Sequence, residues 1–137
     1  MSNLKFMDKR SQAILWFDQV SNDDVSFVGG KNASLGEMYT TLSDKGIRVP
    51  NGFIVTAKAY RDFVSMSGLE ELIKKELEGL NTQNIKELQR VGKNIRAAFL
   101  KVEFPAHLRE EITVAYKALS LGYNVENTDV AVRSSAT

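Results

Sequence analysis

Apolar residues are arranged along this chain in two patterns, short unbroken runs and helical repeats. The runs at residues 13–17 and 53–55 lie beside turn residues and predict two buried strands. A third run, rich in β-branched residues, lies at 129–133 and predicts one further short strand. Thr56 directly follows the second run, and we predict that it caps the next helix.

Five other segments carry apolar residues three and four positions apart, which predicts five amphipathic helices. The first starts near Ala33, where Ser34 and Glu37 form a predicted capping box, and stops at Gly46. The remaining predicted helices are one ending near Gly68, one at 69–79, one at about 82–101, and one from Pro105 to Gly122. The residues predicted to face inward are Leu35, Met38, Tyr39 and Leu42; Tyr60, Phe63 and Val64; Leu69, Leu72, Ile73 and Leu77; Ile85, Leu88, Val91, Ile95 and Phe99; and Leu108, Ile112, Ala115 and Leu119.

Three short strands against five helices predict an α+β (α/β) fold that is rich in helix and has a thin sheet. With 137 residues, 43% of them hydrophobic, the chain has enough material for one core, so we predict a single domain over residues 1–137. A β-branched strand so close to the last residue normally pairs with further strands. We therefore expect a piece of a longer protein.

Charge and composition exclude several classes of function. Eighteen basic and seventeen acidic residues give a net charge of +1, so no nucleic-acid or anionic-membrane partner is predicted. The absence of cysteine excludes disulfides and thiolate chemistry, and fits the cytoplasm. No apolar run approaches the roughly 18 residues of a membrane span, and the first ten residues lack the apolar core of a secretory signal.

Gly29-Gly30-Lys31, placed at the start of a predicted helix, is a candidate phosphate-binding segment. Glycines allow close approach to the backbone, a helix N-terminus attracts anions, and Lys31 adds a mobile positive charge. The same pattern also occurs in proteins that bind nothing. It is not a Walker A loop, because Val25 stands where that motif requires glycine.

Several other polar or aromatic residues are given structural roles. His107, the only histidine, is interpreted as an exposed helix residue and not as a phosphate carrier. The adjacent acids Asp23 and Asp24 are interpreted as solvated turn residues, while Trp16 and Phe17 are predicted to pack in the core.

Three motifs in this order resemble the phosphoenolpyruvate synthase family, which is similar to pyruvate phosphate dikinase. They are GGKNASLGEM at residues 29–38, GIRVPNGFIVT at 46–56 and VRSSAT at 132–137. The resemblance extends from about Leu15 to the last residue. It implies the N-terminal part of an ATP-grasp-like nucleotide-binding domain, in which ATP lies between two subdomains.

The same resemblance implies a reaction and its setting. The family converts ATP, pyruvate and water to AMP, phosphoenolpyruvate and phosphate, through a phosphohistidine on a mobile domain and a C-terminal pyruvate-binding barrel. Neither of those domains is expected within these residues. The resemblance therefore implies a magnesium-dependent, gluconeogenic phosphotransferase that is cytoplasmic and homodimeric, with a chain that is inactive alone.

Carried over residue by residue, the resemblance implies that Lys31 and Arg133 contact the phosphates of ATP. The other implied phosphate-site residues are Gly29, Gly30, Ser134 and Ser135. No catalytic residue and no Mg²⁺ ligand is expected in this chain. Considered without the family, Arg133 would form a surface ion pair and 134–137 would be an exposed terminus.

Two alternatives remain open at this point. Pyruvate phosphate dikinases, rifampin phosphotransferases and glucan water dikinases look similar here and differ in the acceptor, although Ser135 favours the synthase because the dikinase tends to have glycine after the first serine. The other alternative is a non-catalytic helical binding module.

Overall fold

The computed structural model describes residues 8–137, and it contains six α-helices and two strands over that range. The strands are β1 (Ile14–Trp16) and β2 (Phe53–Val55). The helices are α1 (Val25–Val28), α2 (Gly30–Ser43), α3 (Ala57–Met66), α4 (Leu69–Leu77), α5 (Ile85–Lys101) and α6 (Ala106–Gly122). Short 3-10 turns occupy Lys9–Ser11, Phe17–Gln19 and Asn22–Asp24.

The chain divides into two compact units. The first combines the described residues up to Tyr60 with Ala106–Thr137, and the second is Arg61–Pro105. The first unit contains all three motifs described above. A single domain over the whole chain remains a prediction from the sequence. Among residues 8–137, no helix combines the length and apolar character that crossing a bilayer would require.

The two strands pair antiparallel, as neighbours in a small sheet. Leu15 lies opposite Ile54, and both side chains are buried. Trp16 lies opposite Phe53, with their rings in an edge contact at 5.8 Å between centroids. The two apolar runs at 13–17 and 53–55 are thus confirmed as strands.

The core of the first unit collects around this pair of strands. Its buried members are Leu15, Val20, Phe27, Val28, Ala33 and Ile54, and the half-buried ring of Phe17 packs against them. Phe17 thus meets the predicted core role, while Trp16 is half-buried. Helix α2 packs at Gly36 against the 3-10 turn Phe17–Gln19 and the residue after it. An added Cβ on Gly36 would lie 2.6 Å from the carbonyl oxygen of Val20.

The prediction for the start of α2 is wrong. The helix begins at Gly30, three residues before the expected start, with Gly29 as its N-cap. Ser34 and Glu37 therefore lie inside the helix and form no capping box, and the Glu37 carboxylate accepts the N–H of Asn22 at 3.3 Å. The buried face carries Ala33 and Gly36 rather than the longer side chains of the predicted stripe, because the backbone of α2 packs close to the preceding turn.

Thr56 caps α3 as predicted. Its hydroxyl oxygen accepts the N–H of Ala59 at 3.3 Å and the hydroxyl donates to the carbonyl of Gln12 at 2.8 Å. The inward position of Phe63 is confirmed, but Tyr60 is 56% exposed, so its predicted inward position is wrong.

In the second unit, Leu69 of α4 and Val91 of α5 are buried as predicted, and Phe63 stacks on Phe104 with centroids 5.5 Å apart. Asn84 caps α5 through its side chain, which accepts the N–H of Glu87. The prediction that Leu72, Leu77, Ile85 and Leu88 face inward is wrong, since all four are exposed. The stripe of each helix is wider than the face that its neighbours cover.

Helix α6 begins at Ala106, one residue after the predicted start. Leu108, Ala115 and Leu119 are buried as predicted. The buried Ser120 hydroxyl accepts the N–H of Thr128, and the Tyr116 hydroxyl donates to the carbonyl of the same threonine.

The predicted third strand at 129–133 is wrong. Those residues form no strand, and Val132 is 92% exposed. The sheet within residues 8–137 consists of β1 and β2 alone, so neither strand pairs with this segment, and β-branched side chains alone cannot make a strand. The segment instead runs between two residues that are hydrogen-bonded to helices, Thr128, which contacts α6, and Ser135, which contacts α2.

Asp24 is not the solvated turn residue predicted from the sequence. Its carboxylate is buried, accepts the ammonium of Lys9 at 2.6 Å and accepts the N–H of Ser21 at 2.9 Å. Burial raises the pKa of this carboxyl, but the hydrogen bonds from Lys9 and Ser21 and the lysine charge together outweigh burial and hold the pKa below its ordinary value. Asp23 is exposed, as predicted.

We predict that Gly36→Ala lowers the free energy of unfolding by about 1 to 3 kcal/mol, because the new methyl group overlaps the Val20 and Phe17 carbonyl oxygens. The matched control is Gly92→Ala in the middle of α5. There the added Cβ meets only the flexible tip of Arg96, so helix propensity should raise stability by roughly 0.5 to 1 kcal/mol. Urea denaturation measures both, and equal effects at the two positions would contradict the packing described for α2.

We predict that Asp24→Asn lowers stability by about 1 to 3 kcal/mol at pH 7, whereas Asp23→Asn at the neighbouring exposed carboxyl has little effect. Because the folded pKa of Asp24 is lowered, its contribution is present above the unfolded pKa of about 3.9 and is lost as pH falls through the folded pKa. Urea denaturation from pH 7 to pH 2.5 should show the difference from wild type shrinking in acid. A difference that is independent of pH would refute the ion pair.

Candidate functional site

The predicted phosphate-binding glycines lie at the junction between α1 and α2. Gly29 has a φ of +81°, a conformation that L side chains rarely adopt, and it separates the two helices. The N–H of Gly29 donates to the carbonyl of Val25 at 2.9 Å, and the N–H of Gly30 donates to the carbonyl of Ala136 at 3.2 Å. Both backbone donors are therefore used within the protein.

The C-terminal motif packs directly against this junction. A Cβ placed on Gly29 would overlap the Ser135 hydroxyl and would lie 2.8 Å from the carbonyl oxygen of Ala136. Glycine is thus required at position 29 both for its backbone angles and for the closeness of this segment. The structure brings Ser135 together with Gly29 and Gly30, although the serine is more than 100 positions from the two glycines in the sequence.

A second hydrogen bond joins the same two segments. The Ser135 hydroxyl oxygen accepts the N–H of Asn32 at 3.3 Å, across 103 positions of sequence. The side-chain amide of Asn32 donates to the carbonyl of Val28 at 2.8 Å and so ties the start of α2 to the end of α1. Asn32 was not among the predicted site residues, although an asparagine two positions after a glycine pair is a usable signal for a side-chain bond to nearby backbone.

Lys31 is the second residue of α2, and its side chain is exposed. It makes no ion pair with any residue from 8 to 137, and the first turn of α2 contains no acidic residue. A cation in the first turn of a helix opposes the helix dipole, at a cost of about 0.3 to 1 kcal/mol. A bound anion near Lys31 would offset that cost.

Arg133 and Ser134 lie just before the contact with α2, and both are exposed. Within the described part of the chain, Arg133 has no hydrogen-bond or ion-pair partner, so the surface ion pair considered for it is not formed there. Consecutive Cα atoms are 3.8 Å apart, which keeps the Cα of Arg133 within about 8 Å of the Cα of Ser135. Lys31 and Arg133 therefore belong to the two backbone segments that meet at this contact.

Residues 134–137 were also considered as an exposed, fraying terminus. Ser135 and Ala136 instead bond to the N–H groups of Asn32 and Gly30, and Ser135 is half-buried. The segment thus completes the first turn of α2, whose N-cap is a glycine and carries no capping oxygen of its own. These contacts order Ser135 and Ala136 against the helix.

Neither His107 nor any group of metal-binding side chains belongs to this contact among the described residues. His107 is exposed near the start of α6, as predicted, and lines an open groove of about 660 Å³ together with Glu110, Glu111 and Trp16. No group of three or more His, Cys, Asp or Glu side chains suited to a metal ion occurs among residues 8–137.

The sequence is similar to one known protein family and to several curated proteins. The AMP/ATP-binding domain of pyruvate phosphate dikinase matches residues 25–137. That range includes all three motifs, from Gly29 to the last residue.

Curated relatives agree with this match. The chain is 47% identical to a phosphoenolpyruvate synthase of Aquifex aeolicus over 131 residues, which is 96% of this chain and 15% of that protein. It is 47% identical to the Neisseria meningitidis phosphoenolpyruvate synthase over 90% of this chain and 16% of the relative, and 42% identical to that of Escherichia coli over 93% and 16%. The chain thus spans about one-sixth of the length of these relatives. Since the family match covers more than half of its residues, the chain belongs to the pyruvate phosphate dikinase AMP/ATP-binding domain family.

Proposed function

We propose that this chain is the N-terminal portion of the ATP-binding domain of a phosphoenolpyruvate synthase. The full protein would convert ATP, pyruvate and water to AMP, phosphoenolpyruvate and phosphate. The observation that carries the proposal is the contact of Ser135 and Ala136 with the start of α2, because it joins the two motifs that hold Lys31 and Arg133. The similarity to phosphoenolpyruvate synthases over nine-tenths of the chain supports the same assignment.

In this proposal, Lys31 and Arg133 bind the phosphates of ATP through their side chains. Phosphoryl transfer requires mainly positioning and neutralisation of the phosphate oxygens, and these are tasks for lysine and arginine. The arginine fork can hold two oxygens at once, whereas the lysine supplies a compact, mobile charge. Because Gly29 and Gly30 already donate their N–H groups within the protein, the charges of the two side chains would contribute most of the phosphate binding.

The steps after ATP binding would use parts of the protein outside this chain. The β,γ-pyrophosphoryl group of ATP would pass to a histidine with release of AMP. Water would then cleave the pyrophosphorylated histidine to phosphohistidine and phosphate. Pyruvate would finally accept the phosphoryl group from the phosphohistidine. We assign no catalytic residue to the described residues. The chain alone would bind nucleotide weakly or not at all and would be inactive.

Magnesium would accompany ATP and neutralise part of its charge. Since residues 8–137 contain no cluster of metal-binding side chains, the Mg²⁺ ligands would come from the phosphates and from residues elsewhere in the protein. We further propose a cytoplasmic, homodimeric protein acting in gluconeogenesis, with neither nucleic acid nor membrane as a partner. The acceptor distinguishes this proposal from a pyruvate phosphate dikinase, a rifampin phosphotransferase or a glucan water dikinase.

We predict that Lys31→Ala and Arg133→Ala in the full-length protein each weaken ATP binding by about 10- to 150-fold. Each change removes a charge-assisted contact to phosphate of roughly 1.5 to 3 kcal/mol. Isothermal titration with ATP and Mg²⁺ gives the affinity, and coupled assay of phosphoenolpyruvate formation gives turnover.

The matched controls are Lys93→Ala and Arg61→Ala, which remove the same charges from exposed positions in the second unit. Both should bind ATP like wild type. If Lys31→Ala and Arg133→Ala also leave affinity and turnover unchanged, these two residues do not bind ATP. Turnover with an acceptor other than pyruvate would assign the protein to another member of the family.

A further inference from the structure

The contact between Ser135 and the start of α2 has a feature that ordinary helix capping lacks. The residue before a helix usually supplies the capping oxygen from its own side chain. Here that residue is Gly29, which has no side chain, and the oxygen comes from Ser135, 103 positions from the N–H group that it accepts. The hydrogen bond that caps α2 is therefore also the one that holds the Arg133 segment in place.

We propose that Ser135 is a positioning residue, which sets the separation of Lys31 and Arg133 by holding the Arg133 segment on the first turn of α2. This inference rests on the proposed function and deepens it. It gives the Ser135 hydroxyl a role within the protein, as acceptor for the N–H of Asn32, in place of direct contact with phosphate.

Three independent features of the structure support this assignment. The Ala136 carbonyl accepts the N–H of Gly30 at 3.2 Å and fixes the segment at a second point. The positive φ of Gly29 and its missing Cβ admit the segment at close range. The bond from the Asn32 amide to Val28 holds the receiving turn in place from its other side.

The physical consequence is preorganisation of two charges. Lys31 and Arg133 are on exposed, flexible side chains, and an anion that binds both must fix their relative position. If the backbones are already joined, that cost is reduced before ATP arrives. The two cations should then act as a unit, and the loss of either should weaken the contribution of the other.

The test measures that coupling directly in the full-length protein. ATP affinity is determined for wild type, Lys31→Ala, Arg133→Ala and the double variant, and then for the same four in a Ser135→Ala background. We expect Ser135→Ala alone to weaken ATP binding by about 2- to 10-fold, as for the loss of one hydrogen bond. The coupling between Lys31 and Arg133 should be about twofold or more in wild type and fall towards one without the serine hydroxyl.

Two further variants separate positioning from a loss of stability. Ser21→Ala removes the capping hydroxyl of the 3-10 turn Asn22–Asp24 and should leave ATP affinity unchanged. Gly29→Ala keeps the Ser135 hydroxyl but pushes its segment away with a methyl group, and it should abolish the coupling in the same way.

The outcomes distinguish this inference from the proposed function. If Lys31→Ala and Arg133→Ala weaken binding but Ser135→Ala does not, the serine is only a structural cap and the inference is wrong. If Ser135→Ala weakens binding while the coupling is unchanged, the hydroxyl does not position the two cations, and the inference is again wrong. If neither cation matters for ATP, the phosphate site assigned under the proposed function is wrong, and the inference fails with it.

Discussion

The close contact of the C-terminal segment with the start of α2 is the constraint on which the proposed site depends. It requires a residue at position 29 that tolerates a φ of +81° and has no Cβ, and only glycine meets both conditions. Two hydrogen bonds then join Ser135 and Ala136 to the helix. Without this contact, the lysine of one motif and the arginine of the other would belong to unrelated surfaces.

The sequence predicted those parts of the fold that depend on nearby residues. The strands β1 and β2 were found from short apolar runs beside turns, and the cap of α3 was found from a threonine placed directly after β2. Leu108, Ala115 and Leu119 of α6 were also predicted correctly as buried, whereas buried Ser120 was not predicted. In each case the signal and the structure that it specifies lie within a few positions of each other.

Three of the wrong predictions, those for residues 129–133, Asp24 and the start of α2, depend on contacts that the local sequence does not reveal. Residues 129–133 have the composition of a strand, but composition cannot supply a neighbour to pair with. Asp24 looked solvated because its partner Lys9 lies 15 positions away. The start of α2 was placed too late, because its cap comes from Ser135 and Ala136 and not from a local capping box.

The candidate site shows the same division. Lys31 and Arg133 were identified from motifs, and the family match supports attention to both segments. Asn32 and the double use of Ser135 as cap and tether could not be identified in this way, because they are properties of a contact. The role of Gly29 was interpreted as access for phosphate, whereas in the structure the space beside it is filled by the Ser135 side chain and the Ala136 carbonyl oxygen.

The distance along the chain between Asn32 and Ser135 also has a consequence for biosynthesis. A ribosome releases the polypeptide from its N-terminal end, so residues 30–32 leave the exit tunnel about a hundred residues before the serine that completes their helical turn. During that interval the amides of Gly30 and Asn32 must be hydrated, and the opening of α2 is free to fray. The first turn of α2 is therefore completed late within this unit as the nascent chain folds, well after β1 and β2 can pair.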